Sequence, residues 1–234
     1  MHLFHCPDLI ADLIELPEDE AHHAVSVLRL KIGDRIGLLD GKGVSARADL
    51  IEVGKRRVLA EVRERTQHAP ERVARIHLAV APTKQMDRYE WFVEKAVEIG
   101  VDRITPLVTT RSERSKLRVD RLQRVAVSAM KQSQRTWLPV VDEPIKLNEL
   151  LVTTLPTQHL FGWCEGERTS LMNAYVPSND VLLLIGPEGD FTSEEADHLR
   201  KEGFRAVSLG EARLRTETAA LAACTWMSLA QQRL

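Results

Sequence analysis

The chain has 234 residues and a formal net charge of −2 at pH 7, with 44% hydrophobic and 28% charged residues. This composition is typical of a globular protein of one or two domains, and a near-neutral charge argues against a non-specific nucleic-acid binder. The three cysteines are isolated in sequence, which predicts neither a zinc site nor a disulfide framework. Because the sequence has no membrane-length apolar run and no signal-peptide pattern, we expect a cytoplasmic location.

The first 68 residues are predicted to form a small, mostly antiparallel β domain of barrel type. A short helix is expected over residues 17–29, because acids occupy its first turn. Alternating segments at Arg35–Leu39, 44–51 and 58–62 then predict strands, separated by turns at 40–43 and near Gly54.

Few polar residues of this region stand out by sequence alone. His22 and His23 lack metal-ligand spacing, which favours a solvent-facing or helix-packing role. The run 55–57 (Lys-Arg-Arg) is more typical of a solvated hairpin turn than of a binding site. Acidic and basic residues roughly balance in this region, so any phosphate-binding face would depend on arrangement rather than on excess charge.

A polar stretch at 66–73 is interpreted as a linker, after which strands and helices alternate. The pattern predicts a mostly parallel sheet of about five or six strands. The predicted strands cover residues 76–81, 104–108, 158–163, Val181–Ile185 and 206–209. The predicted helices cover Met86–Ile99, 119–134, Leu147–Leu151, a segment from Thr192 to Gly203, and a last one led into by residues 215–218.

Two glycine turns follow two of these strands. Val181–Ile185 is wholly apolar, which is typical of a buried parallel strand, and the loop 186–189 (Gly-Pro-Glu-Gly) comes directly after it. Thr192 and Glu195 form a capping box, and Gly210 opens the second turn. If the two strands are neighbours, both turns lie at the sheet edge where open α/β sheets bind ligands.

Spacing alone leaves these turns open to a second interpretation as ordinary connections, since glycine is common in such loops. The two familiar nucleotide-binding glycine motifs are absent from the sequence. A high density of polar side chains nevertheless favours a functional site. These side chains are Glu188, Arg213, Arg215, Thr216, Glu217 and Thr218.

The order of these motifs resembles the 16S ribosomal RNA (uracil-N3) methyltransferases, which belong to the SPOUT class. The resemblance is carried by residues 186–189 with Phe191 and Thr192, by Leu209-Gly210, and by 214–219 (Leu-Arg-Thr-Glu-Thr-Ala). Two departures are Asp190, where the family usually has a second glycine, and the residues 211–212 (Glu-Ala) before Arg213.

The resemblance implies a fold and an activity. It implies a PUA-like, RNA-binding β-barrel over residues 1–68 and a mostly parallel α/β SPOUT domain over 74–234, tied in a trefoil knot. It further implies S-adenosylmethionine as methyl donor, N3 of a uridine in 16S rRNA of the small ribosomal subunit as acceptor, and a homodimer. It implies no metal.

The resemblance also assigns candidate residues. The cofactor candidates are Phe161, Gly162, Leu184, Gly186, Pro187, Glu188, Gly189, Leu209, Gly210, Arg213, Leu214, Thr218 and Ala219. Arg215 is the expected catalytic cation, and Glu217 is the candidate base, with bulk water as the alternative. An ion pair between Arg215 and Glu217 that fixes the turn is compatible with both roles. The RNA-binding candidates are His22, Arg29, Lys31, Lys84, Arg111, Arg114 and Arg135, the last four of which otherwise belong to solvated basic segments.

Two competing interpretations stay open at this point. One is a non-catalytic RNA-binding or ribosome-assembly factor that retains the fold, which an acid at Asp190 in the glycine loop favours. The other is a SPOUT methyltransferase that acts on another RNA base.

Overall fold

The computed structural model describes residues 1–54 and 57–232, so Lys55 and Arg56 of the predicted hairpin turn lie outside the described residues. The chain divides into two compact units. Unit 1 comprises Met1–Glu71 with Val127–Leu138, and unit 2 comprises Arg72–Ala126 with Pro139–Leu234. Among the described residues, no helix has the length and apolarity needed to cross a bilayer.

Unit 1 contains a five-stranded sheet with the order β1-β3-β4-β5-β2. Its strands are β1 (Leu3–His5), β2 (Leu13–Glu15), β3 (Arg35–Leu39), β4 (Val44–Val53) and β5 (Val58–Gln67). All pairs are antiparallel except β1 with β3, as the mostly antiparallel prediction requires. Two register shifts in β4 bend the sheet around its apolar face.

The helix predicted over residues 17–29 is present in a different form. An α-helix, α1 (Glu18–His22), continues directly as a π-helical turn, His23–Val27. The backbone leaves the helix at Leu28, and Arg29 adopts a left-handed conformation with φ of 54°. The predicted helix therefore ends before Arg29.

Unit 2 is built on a parallel sheet with the order β11-β13-β10-β12-β6-β7-β8, in which β9 also pairs with β7. Five strands form its body: β6 (Ile76–Val80), β7 (Arg103–Val108), β10 (Gln158–Gly162), β12 (Val181–Ile185) and β13 (Arg205–Ser208). Three two-residue strands extend its edges: β8 (Val140–Val141), β9 (Ile145–Lys146) and β11 (Thr169–Ser170). The predicted parallel α/β architecture is thereby confirmed.

Five helices of this half of the chain begin close to their predicted residues: α2 (Met86–Ile99), α3 (Val119–Ser133), α4 (Leu147–Leu151), α6 (Ser193–Lys201) and α7 (Thr216–Gln231). The short helix α5 (Leu171–Ala174) was not predicted. Gly100 ends α2 with φ of 98°, a conformation that glycine adopts without strain. Thr192 caps α6: its hydroxyl accepts from Glu195 N at 3.1 Å, and the Glu195 carboxylate accepts from Thr192 N at 2.9 Å.

A buried ion pair fixes the second half of α3 within unit 1. Lys131 Nζ donates to Glu20 Oε1 at 2.6 Å, and the backbone N–H of His5 donates to the same oxygen at 3.1 Å. Because both charged side chains are largely removed from water, loss of either partner would leave an uncompensated charge. The pair thus links the segment Val127–Leu138 to α1, and both belong to unit 1.

A second polar network crosses the sheet of unit 2. His77 Nε2 lies 2.7 Å from Thr105 Oγ1, and the Thr105 hydroxyl donates to Asp142. Arg103 also donates to both oxygens of Asp142, at 2.7 and 3.0 Å. Burial, together with the Arg103 charge, lowers the pKa of His77 from 6.5 to about 4.

We therefore expect unit 2 to lose stability in mild acid. Unfolded chains protonate His77 below pH 6.5, whereas the folded protein resists until about pH 4. The stabilisation is thus complete above pH 6.5 and falls by about 3 kcal/mol towards pH 4. Denaturant unfolding of the wild type and of His77→Gln, which cannot titrate, measures this effect. The wild type should lose more stability than the variant between pH 7 and pH 4, and parallel pH profiles would contradict it.

Candidate cofactor and catalytic site

The loops after β10, β12 and β13 surround one cavity of about 300 Å³ at the carboxyl ends of the strands, which we term the inner cleft. Ten of the thirteen predicted cofactor residues line it: Gly162, Gly186, Pro187, Glu188, Gly189, Leu209, Gly210, Arg213, Leu214 and Ala219. Phe161 and Leu184 do not, because their side chains are fully buried in the core. Thr218 instead lines a neighbouring depression.

Two glycines of the inner cleft have neighbouring atoms packed where a side chain would begin. A Cβ on Gly186 would lie 3.1 Å from the backbone nitrogen of Phe191, and one on Gly162 would lie 3.1 Å from Ile185 Cδ1. Gly210 has φ of 126°, which other residues rarely adopt. Backbone amides and carbonyls thus border a partly apolar slot, which is the environment that an adenine-containing ligand needs.

Several cleft residues were missed by the sequence analysis. Trp163, Cys164, Ile185 and Ser208 also line the inner cleft, as does Asp190, which the sequence marked only as a departure in the glycine loop. They stand beside predicted residues in the same three loops, so treating each loop as a whole would have found them. The thiol of Cys164 has a pKa raised by partial burial and by the adjacent Asp190 carboxylate, so it remains protonated at neutral pH.

A second, wider depression of about 710 Å³, termed the outer cleft, adjoins the inner one. The two clefts share Arg213 and Leu214 as a common wall. Arg215, Glu217 and Thr218 line the outer cleft from α7, and Asp87, Arg88 and Trp91 line it from α2. The α2 wall was not predicted as part of the site.

Arg215 and Glu217 have different surroundings in the outer cleft. Arg215 is the exposed N-cap residue of α7, and its guanidinium has no hydrogen-bond or ion-pair partner within residues 1–54 and 57–232. Glu217 is 7% exposed and pairs with Arg88, whose Nη1 lies 3.8 Å from its Oε1. The ion pair that the sequence suggested between Arg215 and Glu217 is therefore formed with Arg88 instead.

The start of α7 is fixed on the glycine loop. The buried Thr216 hydroxyl donates to the carbonyl oxygen of Gly186 at 3.1 Å. The carbonyl of Arg215 accepts from Ala219 N at 2.7 Å, which closes the first helical turn. The first turn of α7, whose residues line both clefts, is therefore anchored to the loop after β12.

The basic loops after β6 and β7 contact the same region. Arg111 donates to the carbonyl oxygens of Gly189 and Phe191, so it braces the glycine loop. Arg114 donates to the Lys84 carbonyl at 3.2 Å, and Lys84 Nζ lies 3.2 Å from Glu113. Lys84 and Arg114 remain exposed to solvent.

The remaining RNA-binding candidates belong to unit 1. His22, Arg29 and Lys31 are exposed at or just after the α1 and π-helical segment. Arg135 is different, because its side chain is 16% exposed and its Nη2 lies 2.6 Å from the Glu71 carboxylate. Its charge is therefore already compensated within the unit.

Within the described ranges, no cluster of three or more His, Cys, Asp or Glu side chains has the arrangement of a metal site. Both clefts are instead bordered by backbone groups, arginines and carboxylates. This set of groups suits binding of an organic ligand and stabilisation of developing negative charge.

Known proteins resemble the chain over nearly its whole length. Residues 69–228 match the model of the RNA methyltransferase domain, and residues 16–63 match that of the RNA methyltransferase PUA domain. Ribosomal RNA small subunit methyltransferase E of Rickettsia conorii is 29% identical over 92% of this chain and 89% of its own length.

Solved structures agree with this relationship. A probable rRNA-methyltransferase from Porphyromonas gingivalis has a TM-score of 0.91 and 39% identity, and covers 100% of this chain and 99% of its own. Ribosomal RNA small subunit methyltransferase E of Neisseria gonorrhoeae, solved bound to S-adenosyl methionine, has a TM-score of 0.89, 31% identity and 98% coverage of both chains. The RNA methyltransferase domain model spans more than half of the chain, and the chain therefore belongs to the RNA methyltransferase domain family.

Proposed function

We propose that this chain is an S-adenosylmethionine-dependent methyltransferase that modifies N3 of a uridine in 16S rRNA of the small ribosomal subunit. The observation that carries the proposal is the pair of adjoining clefts with their common wall, Arg213 and Leu214. A narrow cleft beside a wide one suits a small methyl donor beside a large acceptor. The relatives from Rickettsia conorii and Neisseria gonorrhoeae are rRNA methyltransferases, which supports the same substrate class.

The inner cleft is the proposed cofactor site. Gly162, Gly186 and Gly210 bring backbone close to the ligand, and Leu209 and Leu214 provide apolar surface for the adenine ring. When bound, S-adenosylmethionine supplies an electrophilic methyl group. Thr218 and the buried Phe161 and Leu184 act indirectly in this proposal, by shaping the walls.

Arg215 is the proposed catalytic cation. The imide nitrogen N3 of uracil is a poor nucleophile until its proton leaves, and the resulting negative charge spreads onto the carbonyl oxygens. An arginine in the outer cleft that is free of an internal partner among the described residues can stabilise this charge where it develops. The hydrogen bond from Thr216 to the Gly186 carbonyl anchors the adjoining first turn of α7.

Glu217 is the proposed acceptor of the N3 proton. Its carboxylate lies in the outer cleft two residues beyond Arg215, and Arg88 provides a cation beside it. The ion pair orients the carboxylate and leaves one oxygen for the substrate. General-base catalysis of this kind contributes about 10²- to 10⁴-fold to rate.

We further propose that residues 1–68 form an RNA-binding domain and that residues 74–234 form the methyltransferase domain. The exposed side chains of His22, Arg29, Lys31, Lys84 and Arg114 are available to ribose and phosphate groups. Arg111 and Arg135 are proposed to act structurally, because they hold the glycine loop and Glu71.

The proposal also includes a homodimeric assembly and a cytoplasmic location. A homodimer formed through α7 is supported by small side chains along that helix and by Leu229, which is 53% exposed. A substrate in the small ribosomal subunit implies action in the cytoplasm. The trefoil knot implied by the resemblance belongs to the same proposal.

Filling the inner cleft should abolish cofactor binding. Ala219 lies in the first turn of α7 and is 9% exposed, so Ala219→Leu adds a bulky group at the cleft wall. Calorimetric titration with S-adenosylmethionine should show saturable binding for the wild type and at least about 100-fold weaker binding for the variant, equivalent to about 2.7 kcal/mol. Ala11→Leu adds the same group at an exposed alanine of unit 1, outside the cleft lining and outside α7, so this control should bind normally. Equal affinities in all three proteins would exclude the inner cleft as the cofactor site.

Removing the proposed catalytic cation should lower the rate of methyl transfer without weakening cofactor binding. Arg215→Ala should reduce methyl transfer to undermodified small subunits by about 10²- to 10³-fold while leaving the melting temperature and cofactor affinity unchanged. Arg205→Ala, at an exposed arginine of β13, is the matched control and should retain full activity. Mapping the methylated nucleotide in the same assay identifies the base, and a product other than N3-methyluridine would refute the uridine assignment.

The pH dependence of activity distinguishes two roles for Glu217, that of a general base and that of an ion-pair partner for Arg88. Glu217→Gln should lower kcat by about 100-fold near neutrality, and activity should recover as pH rises, because hydroxide then removes the N3 proton. Arg88→Gln tests the other function of the carboxylate, which is to hold Arg88. If both variants show the same raised KM and an unaltered pH profile, Glu217 serves only as the partner of Arg88.

A further inference from the structure

We propose that Asp190 is a positioning residue for the cofactor, because its carboxylate ties the β12 loop to the segment after β10. This assignment rests on the proposed function, in which the inner cleft holds S-adenosylmethionine. It explains the position at which the sequence departs from the glycine usual in the family that it resembles.

The backbone of Asp190 completes a tight turn. Its N–H donates to the carbonyl oxygen of Pro187 at 2.8 Å, and its φ is 62°, in the left-handed region. Glycine enters this region without strain, whereas most other residues do not. Aspartate tolerates it because its short side chain can accept hydrogen bonds from nearby backbone groups.

The carboxylate joins two separate segments. Oδ1 accepts from the backbone N–H of Phe191 at 2.8 Å, and Oδ2 accepts from the backbone N–H of Cys164 at 3.0 Å. Phe191 follows β12 along the chain, whereas Cys164 follows β10. Since β10 and β12 are hydrogen-bonded neighbours, this bridge holds their two loops together just beyond the sheet edge.

Only a carboxylate satisfies both amides at this distance from the backbone. An ionised aspartate offers two acceptor oxygens and no donor. Asparagine retains the left-handed tolerance but has a single acceptor, so its NH₂ group would face one of the two N–H donors. Glycine relieves the backbone but leaves both amides without the bridge, and alanine loses the bridge and also introduces strain.

The bridge borders the cofactor cleft directly. Cys164, Gly186, Gly189 and Asp190 all line the inner cleft. A Cβ on Gly186 would lie 3.2 Å from Asp190 Oδ1, so the carboxylate packs against the face of Gly186 that has no side chain. Releasing the bridge therefore frees the wall against which the ligand is held, and cofactor affinity should fall without a change in the groups that perform the chemistry.

Three substitutions separate the parts of this role. Asp190→Gly should bind S-adenosylmethionine about tenfold more weakly, which corresponds to about 1.4 kcal/mol, with a raised KM and a kcat within about twofold of the wild type. Asp190→Asn should fall between the wild type and Asp190→Gly, and Asp190→Ala should be the weakest. In the ligand-free protein, amide hydrogen exchange at Cys164 and Phe191 should accelerate at least about tenfold in Asp190→Gly.

A matched control distinguishes the bridge from a general effect of added glycine. Gln134 is another non-glycine residue with positive φ, at 58°, and Gln134→Gly should leave cofactor affinity unaltered. Unchanged exchange at Cys164 and Phe191 in Asp190→Gly would overturn the bridge. Faster exchange with unchanged affinity would overturn the positioning role, while the proposed function would stand.

Failure of the proposed function gives a different result. If the wild-type protein binds no S-adenosylmethionine, with RNA present or absent, then the cofactor assignment fails together with the positioning role of Asp190. If the wild type binds the cofactor and the Asp190 variants bind it equally well, the proposed function is retained and the positioning role is rejected.

Discussion

The burial of β12 between β10 and β6 is the constraint on which the rest of unit 2 depends. All five side chains of Val181–Ile185 are removed from water, and each contributes about 1.5–3 kcal/mol relative to exposure. Parallel pairing on both sides brings the carboxyl ends of three strands to one edge. The backbone after Ile185 has to leave this crowded edge at once, which only a turn with little side-chain bulk allows. The glycine-containing turn that a central, buried strand requires at its end is therefore also the turn that borders the inner cleft.

The arginines near this edge divide into those that hold structure and one that is available. Arg111 donates to the carbonyls of the glycine loop, and Arg88 pairs with Glu217. Both reduce the freedom of backbone and carboxylate around the clefts, which is the preorganisation that electrostatic catalysis requires. Against this fixed background, Arg215 has an exposed guanidinium at the start of a helix whose first turn is anchored to Gly186. The guanidinium of Arg215 is available to a ligand because the nearby acceptors are already paired: the loop carbonyls with Arg111 and Glu217 with Arg88.

Local signals predicted much of the fold from the sequence, and their absence explains what was missed. Glycine, proline and the capping box of Thr192 mark the ends of the longer elements, so α2, α6 and β12 lie close to their predicted positions. Strands of two or three residues, such as β1 and β8, are too short to show alternation. The glycine loops were recognised as a site, but the α2 wall of the outer cleft was not. Contact between Arg88 and Glu217 joins residues far apart in sequence, and it follows from the packing of α2 on α7 rather than from any local pattern.

Asp190 shows how a departure from a motif can be interpreted once its contacts are known. From the sequence, an acid in place of glycine favoured a protein that had lost its cofactor. In the structure the same residue takes the left-handed conformation that glycine would take, and both carboxylate oxygens accept backbone N–H groups at the cleft wall. An aspartate in place of the glycine therefore retains the turn and adds a hydrogen-bonded link between the loops after β10 and β12. An acid held in this way is compatible with an intact cofactor cleft, so the argument for a non-catalytic protein loses its main support.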